Sequence, residues 1–141
     1  MPLTKELQGR LSGEFQLIAD KILGTKDPAK RLFYFSAFYG ETQRALNWQW
    51  DDNLVLLHTV LSDTYQVAQA RLGAIMRGDR AVSLPPDYFD LLAQVSADLA
   101  DLVKDDDIET GLLEILRRLA KLGYMCTGNG GYLFEKGVIK P

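Results

Sequence analysis

Histidine and cysteine carry much of protein chemistry, and this chain of 141 residues has one of each, His58 and Cys126. A catalytic histidine needs a nucleophile or an acid within hydrogen-bond reach and a third group to orient its ring. On a helix, His58 has only Ser62 four residues on, while Asp63 turns to another face. We therefore expect His58 to sit at the edge of a core with its hydrogen bond satisfied, and we assign no catalytic residue.

Metal chemistry fares no better. Structural zinc takes three or four Cys, His or carboxylate ligands, and the two soft donors here are alone. A di-iron bundle requires Glu-x-x-His on facing helices, and no Glu stands three residues before His58. The run DDDIETGLLEIL places Asp105, Asp107 and Glu109 as a calcium loop would, but Thr110 occupies the glycine position and Leu116 the bidentate glutamate position. The paired Glu-x-x-Glu and Glu-x-x-Asp motifs of helical nucleotide pyrophosphohydrolases are absent, as is an arginine shortly before His58 of the kind helical nucleases use. GNGG joins two strand-like runs, which makes it a turn and not a phosphate loop. No metal and no cofactor is expected.

Aromatic side chains are the stronger signal. RLFYFSAFYGETQRALNWQW, residues 31–50, holds seven of the fourteen Phe, Trp and Tyr residues. On a helical wheel, Leu32, Tyr34, Phe35, Phe38, Tyr39, Ala45 and Leu46 share one arc of about 160°, which is the arc of a buried face. Phe33 and Trp48 fall opposite, around Ala37 and Arg44. An exposed apolar surplus of this kind marks an interface, so Phe33, Arg44, Trp48 and Trp50 are the expected contact residues. Trp50, in the junction NWQWDD, also suits a packing plug at a helix corner.

Two further readings follow from other residues. Tyr34, Tyr39, Tyr65 and His58 could line a pocket for a small apolar ligand. IETGLLEILRRLAKLGYMCTGNGGYLFEKG runs helix, strand, turn, strand, with Arg117, Arg118 and Lys121 on the helix and Asn129 in the turn. That order looks like the back half of a winged-helix module, and the resemblance implies nucleic-acid contact through those four residues. The two helices such a module needs upstream are not evident, and the one before it is acidic enough to repel phosphate.

The elements that position these residues are mostly helices. Thr4 caps a first helix whose Leu7, Leu11, Phe15, Ile18 and Ile22 recur every three or four residues, ending near Gly24. Asp27-Pro28 starts a second helix, running to about Asn47. Asp51 or Asp52 starts a third, to about Arg77, with Gly78 as a left-handed cap; the interruption near residue 50 reads as a break or a kink. This third helix has the widest apolar arc and is expected at the centre of the bundle. The tandem prolines of DRAVSLPPD force a loop. Tyr88, Leu91, Leu92, Val95, Leu99, Leu102 and Val103 stripe a fourth helix, and Asp106 with Glu109 reads as a capping box for a fifth that closes at Gly123. YMCT and YLFE around GNGG predict a small hairpin over about 124–136.

Composition sets the frame. With 47% hydrophobic and 25% charged residues, the chain is too apolar for disorder. Its length suits one domain with a core of its own. Charge is uneven: residues 1–80 carry ten Lys/Arg against nine Asp/Glu, residues 81–116 one against nine, and residues 117–141 five against one. No apolar run approaches the ~18 residues of a membrane span. MPLTKELQGR lacks a signal peptide's apolar core, which makes a cytoplasmic location the expectation. The sequence thus predicts an all-α domain, an antiparallel bundle of four to five helices with a C-terminal β-hairpin. Its expected role is non-enzymatic: self-association, as a dimer first of all, or docking to a protein partner.

Overall fold

The computed structural model describes residues 3–80, 82–105 and 107–125, with Tyr124 and Met125 described by their backbone alone. Five helices account for most of them: α1 (Lys5–Leu23), α2 (Pro28–Trp48), α3 (Asp52–Met76), α4 (Tyr88–Leu102) and α5 (Glu109–Met125). Their starts are set by short polar side chains that accept the otherwise orphaned first-turn N–H groups. Thr4 accepts from Leu7, Asp27 from Ala29 with Pro28 following, and Asp51 from Leu54. Asp107 accepts from the Glu109 N–H at the head of α5; Asp106, expected to open a capping box, lies outside the described residues.

The helices form a ring in which each packs on two neighbours, in the order α1, α2, α3, α5, α4 and back to α1. Helix α2 also touches α4, so it meets three others. The expectation that α3 is central is therefore wrong. Its apolar arc is wide, but it packs only on α2 and α5, and part of that arc faces outward, with Leu56 and Met76 exposed.

Side-chain bonds define the ends of the ring. At one end, the Thr4 N–H donates to Gln49 Oε1 and the Gln8 amide to the Lys104 carbonyl, joining the start of α1 to the ends of α2 and α4. At the other, Arg31 on the first turn of α2 reaches the first turn of α4. Thr64 donates to the carbonyls of Val60 and Leu119, bridging the middles of α3 and α5. Close approach at the foot of α5 requires Gly111, where a Cβ would lie 2.7 Å from Leu102 Cδ1.

Inside the ring, Phe15, Phe35 and Phe38 form an edge-to-face chain, with centroids 4.9 Å apart for Phe15–Phe38 and 5.6 Å for Phe35–Phe38. Leu54, Leu57, Leu61, Tyr88, Leu92, Leu99 and Leu119 complete a core in which each is wholly inaccessible. No helix among the described residues is long and apolar enough to cross a membrane.

Two local expectations are corrected and one is met. The chain at 49–51 is a corner and not a kink, since Gln49 and Asp51 are extended, with φ of −150° and −149°. Helix α5 continues past Gly123, so Tyr124 and Met125 belong to its last turn and not to a first strand. The remainder of the expected hairpin lies outside the described residues. Gly78 takes the left-handed conformation, φ 86°, and its N–H and that of Asp79 close α3 onto Ile75 and Ala74.

Candidate functional site

The face of α2 turned away from the core carries Phe33 and Trp48, 71% and 60% exposed. They share an angular sector but not a patch, because fifteen residues of helix separate them by about 22 Å along the axis. Each belongs to a different groove.

Trp48 lies between α1 and α2. The Arg10 guanidinium stacks over its ring, 5.6 Å from the centroid, and Arg44 pairs with Glu41 at 3.4 Å. Leu7, Leu11 and Ala45 floor a cleft of about 60 Å³ among these side chains. That volume holds little more than a water or two. Trp50 is 70% exposed and donates its indole N–H to Asp52 Oδ1 at 3.0 Å, so it is not a packing plug.

Phe33 lies between α2 and α3, where the surface is larger. A groove of about 220 Å³ runs between the helices, with Leu32, Leu72 and Tyr65 along it and Phe33 and Met76 at its lips. Met76 is 72% exposed. Small residues, Ala29 and Gly73, keep the groove open. It continues past Leu72 into a second hollow of about 370 Å³ bounded by Pro28, Ile75, Val82, Leu84 and Phe89. The other exposed large apolar residues, Leu17, Leu23, Leu56 and Leu113, line neither groove, and such scattered residues are ordinary on any protein surface.

Tyr39, His58 and Tyr65 come together below this groove, and Tyr34 does not join them. Tyr39 sits 5.5 Å from Tyr65 and 6.4 Å from His58, ring to ring, whereas Tyr34 stands edge-on to Phe33 at 5.8 Å. His58 Nδ1 lies 2.8 Å from Thr42 Oγ1 and 3.1 Å from the Tyr39 carbonyl, and the Thr42 hydroxyl is 2.9 Å from that carbonyl. These bonds tie a half-buried ring to α2, and the hydroxyl beside the imidazole, that of Thr42, is wholly inaccessible and donates to the Tyr39 carbonyl. Among the described residues, no three His, Cys, Asp or Glu side chains converge on a point that could hold a metal.

The basic positions on α5 are divided. Arg118 donates to Asp98 on α4 at 2.6 Å, while Arg117 and Lys121 are exposed. Asn129 lies outside the described residues. Arg31, which the sequence reading passed over, is the one charged residue among those buried here. It shares the arc of Phe35, Phe38, Thr42 and Ala45, and a cation on a core arc signals a committed partner.

Compared with protein-family models, curated proteins and solved structures, the chain finds no significant match in any of them. The all-helical bundle is thus the class its own geometry defines.

Proposed function

We propose that this chain is a non-enzymatic helical subunit that self-associates or docks to a protein partner through the outward face of α2, centred on the groove it forms with α3. The observation that carries this reading is the pair Phe33 and Met76, two large apolar side chains more than two-thirds exposed on opposite lips of one hollow. Leaving both in water forgoes about 1.5–3 kcal/mol for each side chain that a partner would cover. Arg44 and Trp48 stand further along α2 beside a separate cleft, with Trp50 exposed at the corner beyond, and Trp and Arg are among the residue types that dominate binding hot spots.

Size exclusion of a lysate from cells that make the protein natively tests it. The chain is expected to elute well above its 15.8 kDa mass, and Phe33→Ser with Met76→Ser is expected to move it to the monomer position with its circular dichroism unchanged. Wild type eluting as a monomer, or both forms eluting together in a complex, would contradict the reading.

A further inference from the structure

We propose that the occupant of the α2–α3 groove is an acidic amphipathic segment of another protein. It would set apolar side chains between Phe33 and Met76 and hold its carboxylates beside Lys30, Arg77 and Arg80. The inference rests on the docking reading above and adds the chemistry of the partner.

Shape comes first. The groove is concave, floored by Leu32, Leu72 and Tyr65, so what fills it must project separate apolar side chains, as one face of a helix does. A bilayer surface projects none, and a nucleic-acid backbone offers no apolar surface to meet Phe33 and Met76.

Charge then selects the partner's flanks. Lys30 is exposed, one turn from Phe33 on α2, and Arg77 and Arg80 are exposed beyond Met76. The Arg77 guanidinium leans over the groove itself, with Nη1 placed 3.3 Å from where a Cβ on Gly73 would stand. Across residues 26–33 and 65–80, six Lys/Arg meet two Asp; the buried Arg31 pairs with Asp90, and Lys30, Arg77 and Arg80 are the exposed cations that flank the groove. The groove is therefore a basic island on a chain of net charge −3.

This balance also argues against a second copy as the occupant. A two-fold contact sets a patch against itself, which would bring Lys30, Arg77 and Arg80 of both copies together. The acidic surface of α4 is no substitute, because its exposed positions are Asp90, Gln94, Asp98 and Asp101, three carboxylates and an amide with no apolar anchor among them.

The probe is a labelled helical peptide with Leu at i, i+3, i+4 and i+7 and Glu at the flanking positions, titrated by anisotropy against the full chain. Its control is the same peptide with Lys for Glu. At low salt the Glu peptide is expected to bind at least about tenfold tighter than the Lys peptide, with the gap closing as salt rises. Phe33→Ser with Met76→Ser should weaken it by about tenfold or more. Lys30→Glu with Arg77→Glu and Arg80→Glu should reverse the preference. Equal binding of both peptides, lost in the Phe33/Met76 variant, overturns the acidic partner and leaves the docking surface standing. Glu-peptide binding that ignores the Phe33/Met76 variant overturns the surface as well. Failure of either peptide to bind at about 100 μM overturns the inference. So does sedimentation with phosphatidylserine vesicles in place of peptide binding, which makes the island a membrane contact. A concentration-dependent dimer broken by the Phe33/Met76 variant assigns the groove to a second copy and overturns it too.

Discussion

Cutting Phe35 back to alanine is expected to cost about 3–5 kcal/mol of stability, while Phe33→Ser, two positions earlier on the same helix, is expected to cost less than about 0.5 kcal/mol. Phe35 is wholly inaccessible and packs edge-on against Phe38, which in turn meets Phe15 from α1. Its removal takes a large apolar surface out of the ring cluster that α1 and α2 share, and close packing leaves no neighbour able to refill the hole. Phe33 presents most of its ring to solvent, so a serine there removes little that the folded chain had buried. Urea unfolding of the two variants checks both numbers. A loss for Phe33→Ser comparable with that for Phe35→Ala would make Phe33 part of the fold and remove it from the docking surface.

Arg31→Ala is expected to destabilise the bundle by about 3 kcal/mol. The side chain is 3% exposed and donates through Nε to the Thr25 carbonyl at 2.7 Å and through Nη1 to the Phe89 carbonyl at 3.0 Å and Asp90 Oδ1 at 2.9 Å. One guanidinium thus holds the turn before α2, the first turn of α2 and the first turn of α4, which are fifty-eight residues apart in the chain at Phe89. Alanine deprives two carbonyls of this donor and opens a cavity lined by polar atoms. Asp90→Asn is expected to cost only about 1 kcal/mol, because the Asp90 side chain is 70% exposed and well solvated in either form. The two midpoints in urea separate a clamp built mainly on backbone carbonyls from an ion pair. Equal losses for Arg31→Ala and Asp90→Asn would mean that the carboxylate does the holding.

Most of the fold is legible in the sequence because its signals are local. Thr4, Asp27 and Asp51 announce three helix starts by capping chemistry, and Gly78 announces an end by the left-handed conformation that a residue with a side chain resists. The stripe on α4 leaves no doubt about its face. Misreadings arise where a local pattern has two physical meanings. The broad apolar arc of α3 is what a helix surrounded by others would show, but it is equally what a helix shows when it has two neighbours and a half-open groove. Gly123 reads as a stop, yet nothing in the following Tyr124-Met125 opposes another turn. Trp50, expected either to plug the corner or to make a contact, stands out from it on an indole bond to Asp52.

The candidate surface was half visible for a similar reason. A wheel reports angle and discards rise, so Phe33 and Trp48 look like one pair when they are two separate features. Reflecting α2 and α3 about their corner could have located the groove beside Phe33, though not Met76 itself. An antiparallel hairpin turning at residue 50 sets residue 33 opposite about residue 67, inside the stretch from Tyr65 to Met76 that borders the groove. Arg31 was also within reach, since it occupies the same arc as Phe35 and Phe38. What no local pattern could supply was Phe89 and Asp90 as its partners, because that contact depends on how α4 returns to the head of α2.

The docking role proposed for α2 requires that another molecule cover the hollow between Phe33 and Met76 in the cell. A photo-cross-linking amino acid placed in turn at 33, at 76 and at the exposed polar position Gln43 tests it in the protein's native cells. One dominant adduct of the same mass is expected from positions 33 and 76, and none of that mass from position 43. No adduct from 33 and 76, or the same adducts from all three positions, would contradict it.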